Sequence, residues 1–98
     1  MLDGFIRTGD TLYTVANDFK DTSLICVIRY VLNPAGMKVI AEKKIDINDP
    51  AFNIPTGITF DGQQVVVLAN TYLRPYYKNG ASTQGLSGLL RPITLLRY

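Results

Sequence analysis

Apolar residues recur along this chain in short runs separated by turn formers, and the spacing inside each run predicts its structure. Leu12-Tyr13-Thr14-Val15 is a run of β-formers and predicts a strand. Ala16 to Lys20 is polar and turn-like. Asp21-Thr22-Ser23 then places capping residues directly ahead of an apolar run, a helix-start signal. From there Leu24, Val27, Ile28 and Val31 fall on one stripe, widened by Ile25 and Leu32, which predicts the broad buried face of a core helix. Asn33-Pro34 ends that helix and suits the start of a second, since Asn caps well and Pro is favoured at the first helical position. Met37, Ile40, Ala41, Lys44 and Ile45 continue at helical spacing, with Lys38, Glu42 and Lys43 on the wet side, until Asn48-Asp49-Pro50 stops the element. Ile54-Pro55-Thr56-Gly57 reads as a turn and Ile58-Thr59-Phe60 as a short strand. Asp61-Gly62 is a hairpin signal, followed by a strand from Gln63 to Leu68.

A second reading of residues 23–47 competes with the first. Ser23–Leu32 and Lys38–Ile47 are rich in Val and Ile, and Pro34-Ala35-Gly36 is able to turn a hairpin between them. The stripes and the Asn-Pro cap favour helices, and the helical reading is adopted here. The expected fold class is therefore α+β, with two strands bracketing two helices and a β-rich or irregular C-terminal extension.

Tyr13-Thr14-Val15, Asp21-Thr22, Leu24-Ile25, Tyr30, Asn48-Asp49-Pro50 and Ile54-Pro55-Thr56-Gly57-Ile58 occur in the order of a LysM domain. In this register the chain resembles that family over residues 12–60, and within it most nearly the LysM-like phage tail protein X group, through Ile25-Cys26-Val27-Ile28-Arg29-Tyr30. Gly9-Asp10-Thr11-Leu12 looks like the family's opening, but in this register it belongs to an N-terminal arm of residues 1–11. Lys20 stands where the family has glycine before Asp-Thr. The resemblance implies a βααβ module with a shallow groove for N-acetylglucosamine polymers. The groove positions would be Asp21, Thr22 and Ser23 on one side and Asn48, Pro50, Asn53 and Ile54 on the other. Each also has a plain structural role, since Asp21 or Thr22 can cap a helix and Asn48 or Pro50 can end one.

Charge divides the chain. Residues 1–61 carry six Lys/Arg against eight Asp/Glu, a net of −2, whereas residues 62–98 carry four basic residues and no acid. This C-terminal extension, residues 61–98, contains Tyr72, Arg74, Tyr76, Tyr77, Arg91 and Tyr98, residue types enriched at protein–protein hot spots. Four charges over 37 residues give too thin a footprint for nucleic acid. Leu86, Leu89, Leu90, Ile93, Leu95 and Leu96 make the extension apolar enough to need burial, on the module or on a neighbour.

The chain has no histidine and one cysteine, which excludes a disulfide framework and a Cys/His zinc cluster. Cys26 lies in an apolar run and is expected to behave as a small buried hydrophobe. No nucleophile–base pair, phosphate loop or ligand spacing stands out, so neither enzymatic activity nor a cofactor is expected. Asp46/Asp49 and Asp18/Asp21 are carboxylate pairs in turn-like sequence, where Asp is ordinary. The start Met1-Leu2-Asp3-Gly4-Phe5 has no basic-then-apolar pattern of a secretory signal, and the longest apolar stretch is too short to span a bilayer. The expectation is a cytoplasmically made structural component of a bacteriophage tail or baseplate that docks on neighbouring virion proteins. Its alternative is a peptidoglycan-binding module.

Overall fold

The structure is a computed structural model that describes residues 2–17, 25–82, 84, 85, 88 and 91–98, with the backbone alone for 74 and 75. Its elements are β1 (Leu2–Thr8), β2 (Thr11–Ala16), β3 (Cys26–Leu32), β4 (Val39–Ile47), β5 (Ile58–Phe60), β6 (Val65–Leu68), a short helix α1 (Leu73–Lys78) and β7 (Leu95–Arg97). All strand pairs are antiparallel. β1-β2-β3-β4 form one sheet in sequence order, and β5-β6-β7 form a second. Val15 and Val27 of the first sheet and Val65 and Val67 of the second make the core between them, with Ile6, Tyr13, Ile45, Phe52, Ile58 and Tyr98 packed around it.

The α+β, βααβ expectation is overturned. Residues 24–32 and 37–45, expected as helices, are described from residue 25 onward and contribute strands β3 and β4 of one hairpin. The reason differs for the two strands. Cys26, Val27 and Ile28 are all buried, so β3 is apolar on both faces at its start and satisfies a helical stripe as easily as a strand. β4 carries two register shifts against β3, one beside Ile45 and one beside Ile40. Each bulge inserts a residue and resets the alternation. Residues on one face of β4 are thus Val39, Glu42, Lys44 and Ile47, and the helical spacing of Met37, Ile40, Ala41, Lys44 and Ile45 arises because Ile40 and Ile45 are the bulge residues. Asn33-Pro34 caps a loop, not a helix. Asn33 Oδ1 accepts hydrogen bonds from the backbone N–H groups of Met37 (2.9 Å) and Lys38 (3.3 Å), and the Asn33 N–H donates to Lys38 O (2.8 Å).

Gly9-Asp10 is the two-residue turn joining β1 to β2, with Gly9 at φ 61°, a glycine-first hairpin turn. Thr8 pairs with Thr11 across it, and Asp10 O accepts from Leu32 N at 2.7 Å. The motif that resembled a LysM opening is therefore hairpin chemistry, and residues 2–8 pair along the length of β2 as its partner strand. Gly4 is the joint between the sheets. It sits at a register shift in β1 with φ 61°, and a Cβ there would lie 2.5 Å from Thr56 O and 2.9 Å from Ile58 Cγ2, so only glycine lets the 56–58 segment approach. Strands at Leu12–Val15, Ile58–Phe60 and within Gln63–Leu68 lie where the alternation places them.

The C-terminal segment returns to the body. β7 pairs with β6, and the Tyr98 N–H donates to Val65 O at 2.9 Å. Asn70, 5% exposed, fastens this return: its Nδ2 donates to Pro92 O (2.9 Å) and its Oδ1 accepts from Thr94 N (2.7 Å).

Candidate interaction surface

The register of the four-stranded sheet sorts its side chains into two faces. One face looks into the core with the rows Asp3–Val15–Val27–Asp46, Ile6–Tyr13–Arg29–Lys43 and Thr8–Thr11–Val31–Ala41. The other face carries Leu2–Ala16–Cys26–Ile47, Phe5–Thr14–Ile28–Lys44, Arg7–Leu12–Tyr30–Glu42 and Leu32–Val39. Nine of these last fourteen residues are Leu, Ile, Val, Ala, Phe or Cys, an unusual share for the side of a sheet turned away from the core. Its centre is buried, with Thr14, Cys26 and Ile28 at 5% exposure or less. Its margins are open: Leu2 is 45%, Phe5 53%, Val39 53% and Ile47 55% exposed.

Two features hold this face in shape. Thr14 Oγ1 donates to Gly4 O at 2.8 Å, pinning the bulged β1 over β2. At the opposite edge, Tyr98 Oη donates to Asp46 Oδ2 at 2.5 Å and ties the second sheet to β4. Burial, then the neighbouring carboxylate of Asp46, pushes the Tyr98 phenol far above its usual range. Burial and the adjacent Asp49 raise the Asp46 carboxyl against the lowering effect of Tyr98. This pairing joins the two sheets through one side-chain hydrogen bond. Cys26 is 4% exposed and burial raises its thiol, which keeps it protonated and unreactive at neutral pH.

The outer edge of β4 is unpaired among the described residues, as β4 stands last in its sheet. Ile40 (63% exposed) and Met37 (84%) in the preceding turn extend the apolar margin along it. A long edge of this kind presents a row of backbone donors and acceptors to any incoming strand.

Only one side of the groove expected from the LysM register lies within the described residues. Asp21, Thr22 and Ser23 lie outside the described residues. Asn48 is an exposed turn residue at φ 53°, and its N–H donates to Ile25 O (2.9 Å). Pro50 is exposed beside it, whereas Ile54 is 2% exposed and belongs to the interior. Asn53 bridges to Asn70, and its carbonyl accepts from Thr71 N at 3.0 Å. Asn53 and Ile54 thus serve chain packing.

The C-terminal aromatic and basic residues are scattered. The Tyr76 and Tyr77 rings meet edge to face at 5.4 Å, and Tyr77 is 63% exposed. Tyr72, at φ 56°, holds its hydroxyl 3.5 Å from Asn70 Nδ2. Arg74 lies within α1; Arg91 is exposed and reaches Gly88 O at 3.4 Å. Tyr98 is half-buried between the sheets. Sequence reasoning missed the β1, β4 and Gly4 surface altogether. The signal for it was the Val/Ile content of 38–47 and the Gly9-Asp10 hairpin pair.

Among the described residues no three His, Cys, Asp or Glu groups come together as a metal site, and no helix is long and apolar enough to cross a membrane. No family model, no curated protein and no solved structure matches the chain. The fold that the LysM resemblance implies is not the one observed.

Proposed function

We propose that this protein is a non-catalytic structural subunit that docks on other proteins through the margin of its four-stranded sheet. The observation that carries the reading is an open nine-residue edge strand along which Val39, Ile40 and Ile47 are exposed, with Met37 in the turn before it. Exposed apolar residues in contiguity mark interaction sites, whereas scattered ones need no explanation. A bacteriophage tail or baseplate is a setting in which such a subunit fits, and that placement now rests on the surface alone, without a LysM-like fold behind it. The glycan-binding reading has less support, since Ile54 is interior and the Asn53 backbone is engaged with residues 69–72.

The test is to fractionate the cells that make the chain and ask whether it sediments in stoichiometric amount with a defined multi-protein particle. The expected result is co-sedimentation that is lost in Val39→Lys and Ile40→Lys variants of unchanged thermal stability. A chain absent from every sedimenting complex overturns the reading.

A further inference from the structure

We propose that β4 pairs antiparallel with β4 of a second copy, about a twofold axis through Lys43, to form a continuous eight-stranded sheet. This names a partner for the docking reading and rests on the surface assigned there. A twofold axis perpendicular to a sheet sets residue i against residue 86 − i when Lys43 lies on the axis, and residues set directly opposite share a face. On the face turned away from the core, that pairing matches Val39 with Ile47 and Glu42 with Lys44, each twice. All four outward residues of β4 thus meet an outward partner of compatible chemistry.

No other centre within residues 41–45 does this, because the bulges beside Ile40 and Ile45 set the outward residues at 39, 42, 44 and 47. A centre at Glu42 opposes the two Glu42 side chains and sets Val39 against Ile45 from another face. A centre at Lys44 opposes the two Lys44 side chains and sets Glu42 against Asp46. The chosen register opposes Lys43 to Lys43 on the core-side face, where both are exposed and can splay into water. Two Glu–Lys pairs and two Val–Ile pairs compensate that contact. Lysines and bulges also guard edge strands against indiscriminate pairing. Here they leave one self-complementary register open and disfavour the rest, which gives specificity as well as association.

Sedimentation equilibrium of the full chain across the micromolar range tests the pairing. The expected result is a monomer–dimer equilibrium weakened by added salt, which screens exposed charge pairs. Glu42→Lys and Lys44→Glu each convert two attractive pairs into repulsive ones and are expected to raise the dimer Kd roughly ten- to hundredfold. The double variant E42K/K44E restores opposite charges and returns the Kd to near the parent value. Thermal unfolding of each variant at monomeric concentration checks that the fold is intact. A monomer at every concentration overturns the pairing, as does a dimer indifferent to both single changes or not rescued by the double one. A monomeric chain that still enters a sedimenting particle removes the β4 pairing while leaving the docking reading in place.

Discussion

The centre and the β4 edge of the four-stranded sheet are both apolar and have opposite fates. Val15 and Val27, in the central strands on the core-side face, are fully buried, whereas Val39 and Ile40, on the edge strand, are 53% and 63% exposed. The difference lies in the cover. The second sheet meets the first through β5 against β1 and β2, and its valines cover Val15 and Val27, whereas β4 is the far edge strand. The second sheet therefore covers only part of the first. Stability is therefore concentrated in one half of the sheet, and the other half is available for contacts that the monomer does not need.

The contrast breaks first at the covered end. Ile54 is buried at 2% exposure and holds φ 54°, a conformation rare for a β-branched side chain. Ile54→Ala is expected to lower unfolding free energy by about 2–5 kcal/mol, read by urea denaturation. An effect below about 1 kcal/mol would show that the strained backbone there offsets most of what burial contributes.

Asn70→Ala comes next. It leaves Thr94 N and Pro92 O without their partner, and about 1–3 kcal/mol is expected. Hydrogen exchange localises the effect: protection of the β7 amides falls before that of β2 and β3. Uniform loss across both sheets would contradict the assignment of Asn70 as a local fastener.

Tyr98→Phe is smaller, about 1 kcal/mol at neutral pH, because the Asp46 bond it removes is only partly shielded from water. Its signature is the pH profile. Tyr98 has a folded-state pKa raised above its unfolded value of about 10, so its contribution is complete below that pH and is lost as pH climbs through and beyond it. Parent stability should fall more steeply than that of Tyr98→Phe in alkaline solution, and parallel curves would remove the role given to this bond.

At the uncovered end, Val39→Thr and Ile40→Thr are expected to change monomer stability by no more than about 0.5 kcal/mol. A loss above about 1 kcal/mol would mean that this margin is covered in the free chain.

Local chemistry was legible wherever it needed no distant partner. Leu12–Val15, Ile58–Phe60 and the β6 run follow from β-propensity and turn residues alone. Asp61 behaves as a turn former should, its carboxylate accepting from Gln63 N (2.9 Å) and Gln64 N (2.8 Å). Residues 24–47 were not legible in this way. The competing hairpin reading, carried by the Val/Ile content of the segment, contained the right answer, but the helical spacing within the same segment outweighed it.

The sequence by itself determined the turn at Asp61-Gly62 and the apolar surroundings of Cys26, whereas the expected burial of the C-terminal apolar residues fails at Ile93 and Leu95, which are 77% and 50% exposed. The tertiary structure alone decided that β3 and β4 are strands, because β3 gains its backbone partners from β2 and β4, and its double-sided burial from surroundings no local pattern reveals. It also decided which face each residue of β4 occupies. Two bulges reset the alternation there, and a bulge is fixed by register against a neighbouring strand, not by the strand's own residues.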